Sequence, residues 1–156
     1  MAIKKITPDV NGAGKKIGIV LSRFNSPIGG RLLKGAQAAL REAGVTDSSV
    51  LLVTVPGALE TPLALQYLAQ TRRFDALVAL GAVIRGETYH FEIVANESAS
   101  GVSGAALEFG VPVGNGILTT NTDEQALARA EEKGREAVLA AIEMSNLQAA
   151  IGDHEK

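Results

Sequence analysis

The chain has 156 residues, of which 46% are hydrophobic and 4% aromatic, and this composition suits one domain with a core of small aliphatic side chains. A formal net charge of -2 gives no electrostatic reason to expect nucleic acid as a partner, and the absence of cysteine excludes disulfides and thiolate chemistry. The sequence shows no secretory signal and no apolar run of bilayer length, so we expect a cytoplasmic protein without a membrane partner.

Short apolar runs alternate with longer segments of helical spacing along the chain. Residues 1–15, which include Pro8, Gly12 and Gly14, are predicted to form an irregular arm. Four runs rich in valine, isoleucine and leucine predict buried parallel strands: Lys16–Ser22, Val50–Val55, Ala76–Ile84 and Pro112–Thr119. The pattern therefore predicts a sheet built from well-separated segments of the chain.

Four helices are predicted after these strands. The first includes the apolar face Leu32–Ala43, the second covers about Glu60–Gln70, the third about Tyr89–Phe109, and the fourth runs from a capping box at Thr122 to about Leu147. Gly134 is expected to break or bend the fourth helix, and residues 148–156 are expected to form a frayed tail.

Repeated strand–helix alternation predicts an α/β fold. We expect a flavodoxin-like three-layer α/β/α sandwich with a central four-stranded parallel sheet, formed by a single domain at residues 16–147. In such sheets ligands bind beyond the carboxyl ends of the strands. Functional residues are therefore expected at 22–25, 56–60, 85–88 and 119–122.

The segment after the third strand, Arg85–His90, has the composition of an anion site. Gly86 permits a tight turn, backbone N–H groups at the following helix start favour an anion, and Thr88 adds a hydroxyl donor. His90 would lie close enough to move a proton. A capping turn with a surface histidine explains the same residues equally well.

Three other segments allow both a functional and a purely structural interpretation. Phe24 could stack on a planar heterocycle or end its strand inside the core, and Glu60 could accept hydrogen bonds from a ligand or simply start a helix. Arg129 and Lys133 share one helical face and could bind phosphate, although a solvated face beside Glu131 explains them too. With two histidines in the chain, one of them in the tail, we expect no His-rich metal site.

Four motifs in the order found here resemble the lumazine synthases, a family of riboflavin biosynthesis. They are SRFN at 22–25, VPGALETP at 55–62, LGAVIRGETYHFEIVANES at 80–98 and NGILTTNTDEQALARA at 115–130. The resemblance covers residues 16–147 and implies condensation of 5-amino-6-(D-ribitylamino)uracil with 3,4-dihydroxy-2-butanone 4-phosphate, without metal or cofactor.

The resemblance also implies roles for individual residues. His90 would transfer protons, and Phe24 would stack on the pyrimidine ring. The remaining pyrimidine and ribityl contacts would come from Ala58, Leu59, Glu60, Ala82, Val83, Ile84 and the backbone of Asn115, where many members carry an aromatic residue. The phosphate of the butanone would be held by Glu87, Thr88, Arg129 and Lys133, the last in a connection shorter than in many members.

Assembly follows from the same resemblance. The family forms pentamers whose active sites are shared between neighbouring subunits, and many members build twelve pentamers into an icosahedral shell. We expect at least a homopentamer here, with riboflavin synthase as a candidate partner. Two rival functions remain: a riboflavin synthase of archaeal type, against which the intact VPGALE and RGETYH motifs argue, and a non-catalytic flavin- or lumazine-binding shell protein.

Overall fold

Four parallel strands form one sheet in the computed structural model, which describes residues 2–154. The strands are β1 (Ile17–Ser22), β2 (Val50–Val55), β3 (Ala76–Ile84) and β4 (Val113–Thr120), in the order β2-β1-β3-β4. The central strand β3 is buried along nearly its whole length, as its unbroken apolar sequence predicts. Each predicted strand is found within one residue of its predicted ends. The prediction that β2 is buried is wrong, because β2 is an edge strand on which Val55 is buried but Leu51 and Leu52 are exposed.

Helices cover both faces of the sheet. They are α1 (Ser26–Glu42), α2 (Thr61–Gln70), α3 (His90–Phe109) and α4 (Asp123–His154). Side chains of α1 and α4 bury one face of the sheet in an Ala-, Leu- and Ile-rich cluster, and those of α2 and α3 bury the other face. The flavodoxin-like three-layer α/β/α sandwich is thus confirmed.

The fourth helix departs from its prediction at Gly134. The helix is continuous from Asp123 to His154, so the expected break at this glycine is wrong. A Cβ placed on Gly134 would lie 2.0 Å from the carbonyl oxygen of Leu32, and one on Gly35 would lie 1.9 Å from that of Glu131. Glycine is needed there because α1 and α4 cross with their backbones in contact, a requirement that the sequence of one helix does not reveal.

The two ends of the chain differ in structure. Residues 2–16 contain no helix or strand, and Asn146 Nδ2 ties this arm to α4 by donating to the carbonyl oxygens of Asp9 and Asn11. The predicted helix end at Leu147 is wrong, because α4 continues to His154. Residue 1 of the predicted arm and residues 155 and 156 of the predicted tail lie outside the described residues.

None of the helices within 2–154 has the length and apolar character needed to cross a membrane.

The start of α4 is capped as predicted. Thr122 Oγ1 accepts a hydrogen bond from the backbone N–H of Gln125 (3.1 Å), and Gln125 Oε1 accepts one from the N–H of Asn121 (2.8 Å). These two bonds satisfy donors that lack partners at a helix start. They also fix the loop between β4 and α4, which lies at the carboxyl edge of the sheet.

Candidate active site

A cleft of about 410 Å³ lies beyond the carboxyl ends of β1, β2 and β3. Nine of the residues predicted for the site line it: Phe24, Ala58, Leu59, Glu60, Ala82, Val83, Ile84, Thr88 and His90. The sequence places them in three separate segments, and the parallel sheet brings those segments to one edge. The largest part of the predicted site is therefore assembled within one chain.

Phe24 stands at the rim of this cleft and not in the core. Its side chain is 71% exposed, which rules out the interpretation as a buried strand-end aromatic. Its backbone N–H donates to the carbonyl oxygen of Pro56 (3.1 Å), so the pairing of β1 with β2 continues past the last strand residue. The next residue, Asn25, adopts a left-handed backbone (φ 63°) and donates from Nδ2 to the carbonyl oxygen of Ala82 (3.2 Å). These two hydrogen bonds fix the backbone at this point, and the exposed ring projects from it at the rim of the cleft.

The loop after β2 forms the opposite wall. Ala58–Glu60 make one turn of 3-10 helix before α2 begins. Ala58 is buried, whereas Leu59 and Glu60 are exposed and line the cleft. This turn presents an apolar side chain and a carboxylate side by side, and a ligand with both a ring and hydroxyl groups would match that pair.

The turn after β3 leads directly into the helix that carries the histidine. His90 is the first residue of α3, and its backbone N–H lies 3.4 Å from Thr88 Oγ1, which accepts from it. The imidazole is exposed and lines the cleft. The N-terminal dipole of α3 favours an anion near the same turn. Glu87 is exposed and does not line the cleft.

Two residues of the cleft, Phe91 and Val94, were not predicted, and both extend its apolar wall along α3. Asn25, Pro56 and Gly57 complete the loops and belong to the strand-end segments in which functional residues were expected. Val94 lies four residues after His90 on the same helical face, and this spacing would have been enough to find it.

Arg85 and Glu92 form an ion pair beside this helix start. Arg85 Nη1 donates to Glu92 Oε1, and the guanidinium carbon lies 4.4 Å from the centroid of the Phe91 ring. The hydrogen bond from Arg85 lowers the pKa of the Glu92 carboxyl from its usual value of 4.5. Arg85 belongs to the segment predicted as an anion site but was given no role of its own, and Glu92, in the first turn of α3, was not singled out from the sequence.

Arg129 and Lys133 line a second and separate cleft, of about 360 Å³, between the end of β4 and α4. Arg129 Nη1 donates to the carbonyl oxygen of Gln125 (2.9 Å). Among residues 2–154 neither cation forms an ion pair, since the neighbouring Glu131 and Glu132 pair with Lys34 and Arg135. Two cations without acidic partners in one cleft fit an anion better than they fit a solvated, charge-balanced face.

Asn115 lines neither cleft. It is exposed on β4, and its Oδ1 accepts a hydrogen bond from the backbone N–H of Ile117 (3.0 Å). One chain alone does not bring Asn115, Arg129 or Lys133 into the cleft that holds His90.

Comparison with known proteins gives a consistent result. The family model described as 6,7-dimethyl-8-ribityllumazine synthase matches residues 14–149. A curated relative with that name from Paraburkholderia phymatum is 59% identical over 97% of this chain and 88% of its own length. Another from Paraburkholderia phytofirmans is 56% identical over 97% of this chain and 90% of its own, and one from Burkholderia mallei is 57% identical over 94% and 85%. The chain therefore belongs to the 6,7-dimethyl-8-ribityllumazine synthase family, a family of transferases of riboflavin biosynthesis.

Proposed function

We propose that the protein condenses 5-amino-6-(D-ribitylamino)uracil with 3,4-dihydroxy-2-butanone 4-phosphate to give 6,7-dimethyl-8-ribityllumazine. The 5-amino group attacks the ketone, and loss of water gives an imine. Loss of inorganic phosphate then leaves a carbonyl group, which the ribityl-bearing nitrogen attacks, and loss of a second water closes the ring. The observation that carries this proposal is the single cleft that gathers Phe24, Glu60 and His90 at the carboxyl edge of the sheet.

The first cleft suits the pyrimidine. The exposed ring of Phe24 offers a stacking surface, and the apolar floor comes from Ala82 and Val83 at the end of β3. Glu60, at the opposite wall, would accept hydrogen bonds from the ribityl hydroxyls. A substrate with a flat heterocycle at one end and a polyol at the other would use both walls.

His90 is the proposed proton-transfer group. Imine formation, phosphate loss and ring closure each require protons to move between nitrogen, carbon and oxygen atoms. An imidazole suits this role because one ring nitrogen can accept a proton while the other donates one. Thr88 and the N-terminus of α3 would hold the phosphate next to it, so that the leaving group and the proton-transfer group are adjacent.

The second cleft would complete the site of a neighbouring subunit. Arg129 is proposed to form charge-assisted hydrogen bonds to the phosphate, with Lys133 as a second cation. Asn115 would reach the pyrimidine from the same side. Exposed apolar side chains such as Leu63, Tyr67 and Leu107 support burial against other copies of the chain, as expected for a homo-oligomer of pentamers.

A steady-state assay with both substrates tests this proposal. Lumazine absorbance and inorganic phosphate should rise together and above the uncatalysed rate. His90→Ala should lower kcat by about 10²-fold or more, as expected for loss of a general acid–base group. His154→Ala, which removes the other histidine, is the matched control and should keep full activity.

The phosphate role is tested separately. Arg129→Ala should raise KM for the phosphate substrate by about 10- to 100-fold, because the variant lacks the charge-assisted hydrogen bonds from the guanidinium to the phosphate. Tight binding of the pyrimidine without product formation above background would reject the synthase and leave a binding protein.

A further inference from the structure

Arg85 holds a position between the two clefts that the proposed reaction does not itself use. Its Nη1 donates to Glu92 Oε1, and its Nε donates to Asn121 Oδ1 at 2.8 Å. Its guanidinium lies over the ring of Phe91, and its backbone N–H donates to the carbonyl oxygen of Thr120 at 2.9 Å. One side chain thus contacts both the first turn of α3 and the loop that precedes α4.

The hydrogen bonds continue from Arg85 to the second cleft. The N–H of Asn121 donates to Gln125 Oε1 (2.8 Å), and the carbonyl oxygen of Gln125 accepts from Arg129 Nη1 (2.9 Å). Asn121, Gln125 and Arg129 all line the second cleft. An unbroken series of hydrogen bonds therefore joins Arg85 to the cation proposed to bind phosphate.

On its other side Arg85 fixes the start of the helix that carries His90. Phe91 lines the first cleft and follows His90 directly, and Glu92 lies in the same helical turn. The planar guanidinium donates in two directions at once, which the ammonium of a lysine does with much less geometric constraint. Because the ion pair is about half exposed, solvent screens its charges, and its main effect is to fix geometry.

We propose that Arg85 is a positioning residue, which holds the turn carrying His90 and the turn carrying Arg129 in a fixed relation. This inference rests on the proposed function, which gives those two side chains their roles and assigns them to two adjoining sites of the oligomer, so that Arg85 would place one group in each site. Productive geometry in a condensation depends on the placement of reacting groups to within about 1 Å, and a misplacement of that size can lower the rate by about 10²-fold.

Kinetics of Arg85→Met and Arg85→Lys test this proposal. Both should lower kcat by about 10- to 100-fold while KM for the pyrimidine changes little, because the walls of the first cleft remain. Arg135→Met is the matched control: it removes an exposed arginine of α4 that also pairs with glutamates and lines neither cleft, and it should keep the wild-type kcat. Full activity in Arg85→Lys would overturn the proposal, since positive charge alone would then suffice.

A double-mutant cycle with Glu92 tests whether the pair acts as a unit. Glu92→Gln keeps the accepting oxygen and should retain most of kcat, whereas Glu92→Met should lose activity as Arg85→Met does. The double variant Arg85→Met with Glu92→Met should be no worse than the poorer single variant. Losses that multiply in the double variant would show independent roles and reject the proposal.

Hydrogen exchange in the absence of substrates separates this inference from the proposed function. The amides of Glu92, Ile93, Gln125 and Ala126 are bonded within the first turns of α3 and α4. Arg85→Met should speed exchange in both turns, and Arg135→Met in neither. If the wild type makes no lumazine, the proposed function fails. If Arg85→Met changes the exchange in one turn only or in neither, the positioning role fails, whatever the activity of the wild type.

Discussion

Phe24 is the residue whose exposure points most directly to a ligand. A large aromatic ring that is 71% exposed at the rim of a cleft contributes little to the folded state. Phe24→Ala should therefore weaken pyrimidine binding by about 10-fold, within the energy of one aromatic stacking interaction. The free energy of unfolding of Phe24→Ala should differ from that of the wild type by no more than about 0.5 kcal/mol.

Titration calorimetry and chemical denaturation check the two halves of this prediction. Ile151→Ala is the control, because Ile151 is also an exposed apolar residue but lines neither cleft. Equal binding by wild type and Phe24→Ala would show that the ring does not stack on the ligand.

Glu92 gives a prediction about pH. The hydrogen bond from Arg85 lowers the pKa of this carboxyl below 4.5, so the pair's contribution is present above pH 4.5 and is lost as the pH falls through the lowered value. In Arg85→Met the pKa should return toward 4.5, whereas in Arg135→Met it should stay low. Carboxyl carbon shifts followed by NMR during an acid titration measure both. An unchanged pKa in Arg85→Met would show that the ion pair does not persist in solution.

The close crossing of α1 and α4 leads to a prediction about the stability of the protein. A methyl group on Gly35 would meet the carbonyl oxygen of Glu131 at 1.9 Å, so Gly35→Ala must push the two helices apart. We expect it to destabilise the protein by about 1–3 kcal/mol, although alanine is the better helix former by about 1 kcal/mol.

Gly30→Ala is the matched control for this effect. Gly30 lies in the same helix, and nothing lies within 4 Å of a Cβ placed there, so the substitution should be neutral or stabilising. Denaturation at a fixed protein concentration measures both variants. Equal stability of Gly35→Ala and Gly30→Ala would show that the helices do not approach this closely.

The same crossing explains what the sequence could and could not predict. Strand positions follow from apolar runs, and these were predicted to within one residue, although only β1 and β3 are buried along nearly their whole length. The need for glycine at position 134 could not be predicted from such a pattern, because it arises from the close approach of the backbone of a different helix, α1. The start of α1 at Ser26 was also missed, since the apolar face used to find the helix begins later, at Leu32.

The candidate site was predictable to a similar degree. Residues at the ends of β1, β2 and β3 converge because parallel strands end at one edge, and the sequence order alone implies this. The separation of Arg129 and Lys133 from that cleft depends on where α4 packs, which the motifs do not specify. The Arg85–Glu92 ion pair depends on side-chain geometry across a turn, and no periodic pattern in the sequence predicts it.

At the scale of the whole molecule, the two clefts make a prediction about mixed oligomers. If each active site takes His90 from one chain and Arg129 from its neighbour, chains with His90→Ala and chains with Arg129→Ala should each have little activity alone when the phosphate substrate is kept well below its wild-type KM. Mixed in equal amounts within one oligomer, they would form some sites with both residues intact. Random mixing should give such a site about a quarter of the time, hence about a quarter of the wild-type activity.

Co-expression of the two variants with different purification tags, followed by tandem purification of the mixed oligomers, measures this activity. The control is an oligomer that mixes wild-type chains with chains carrying both substitutions, where random mixing also leaves about a quarter of the sites intact. Activity in the first mixture that stays at the level of the separate variants would place both residues in the same subunit's site. The separation of the two clefts within one chain argues for recovery, because a phosphate bound between His90 and Arg129 then requires a second chain.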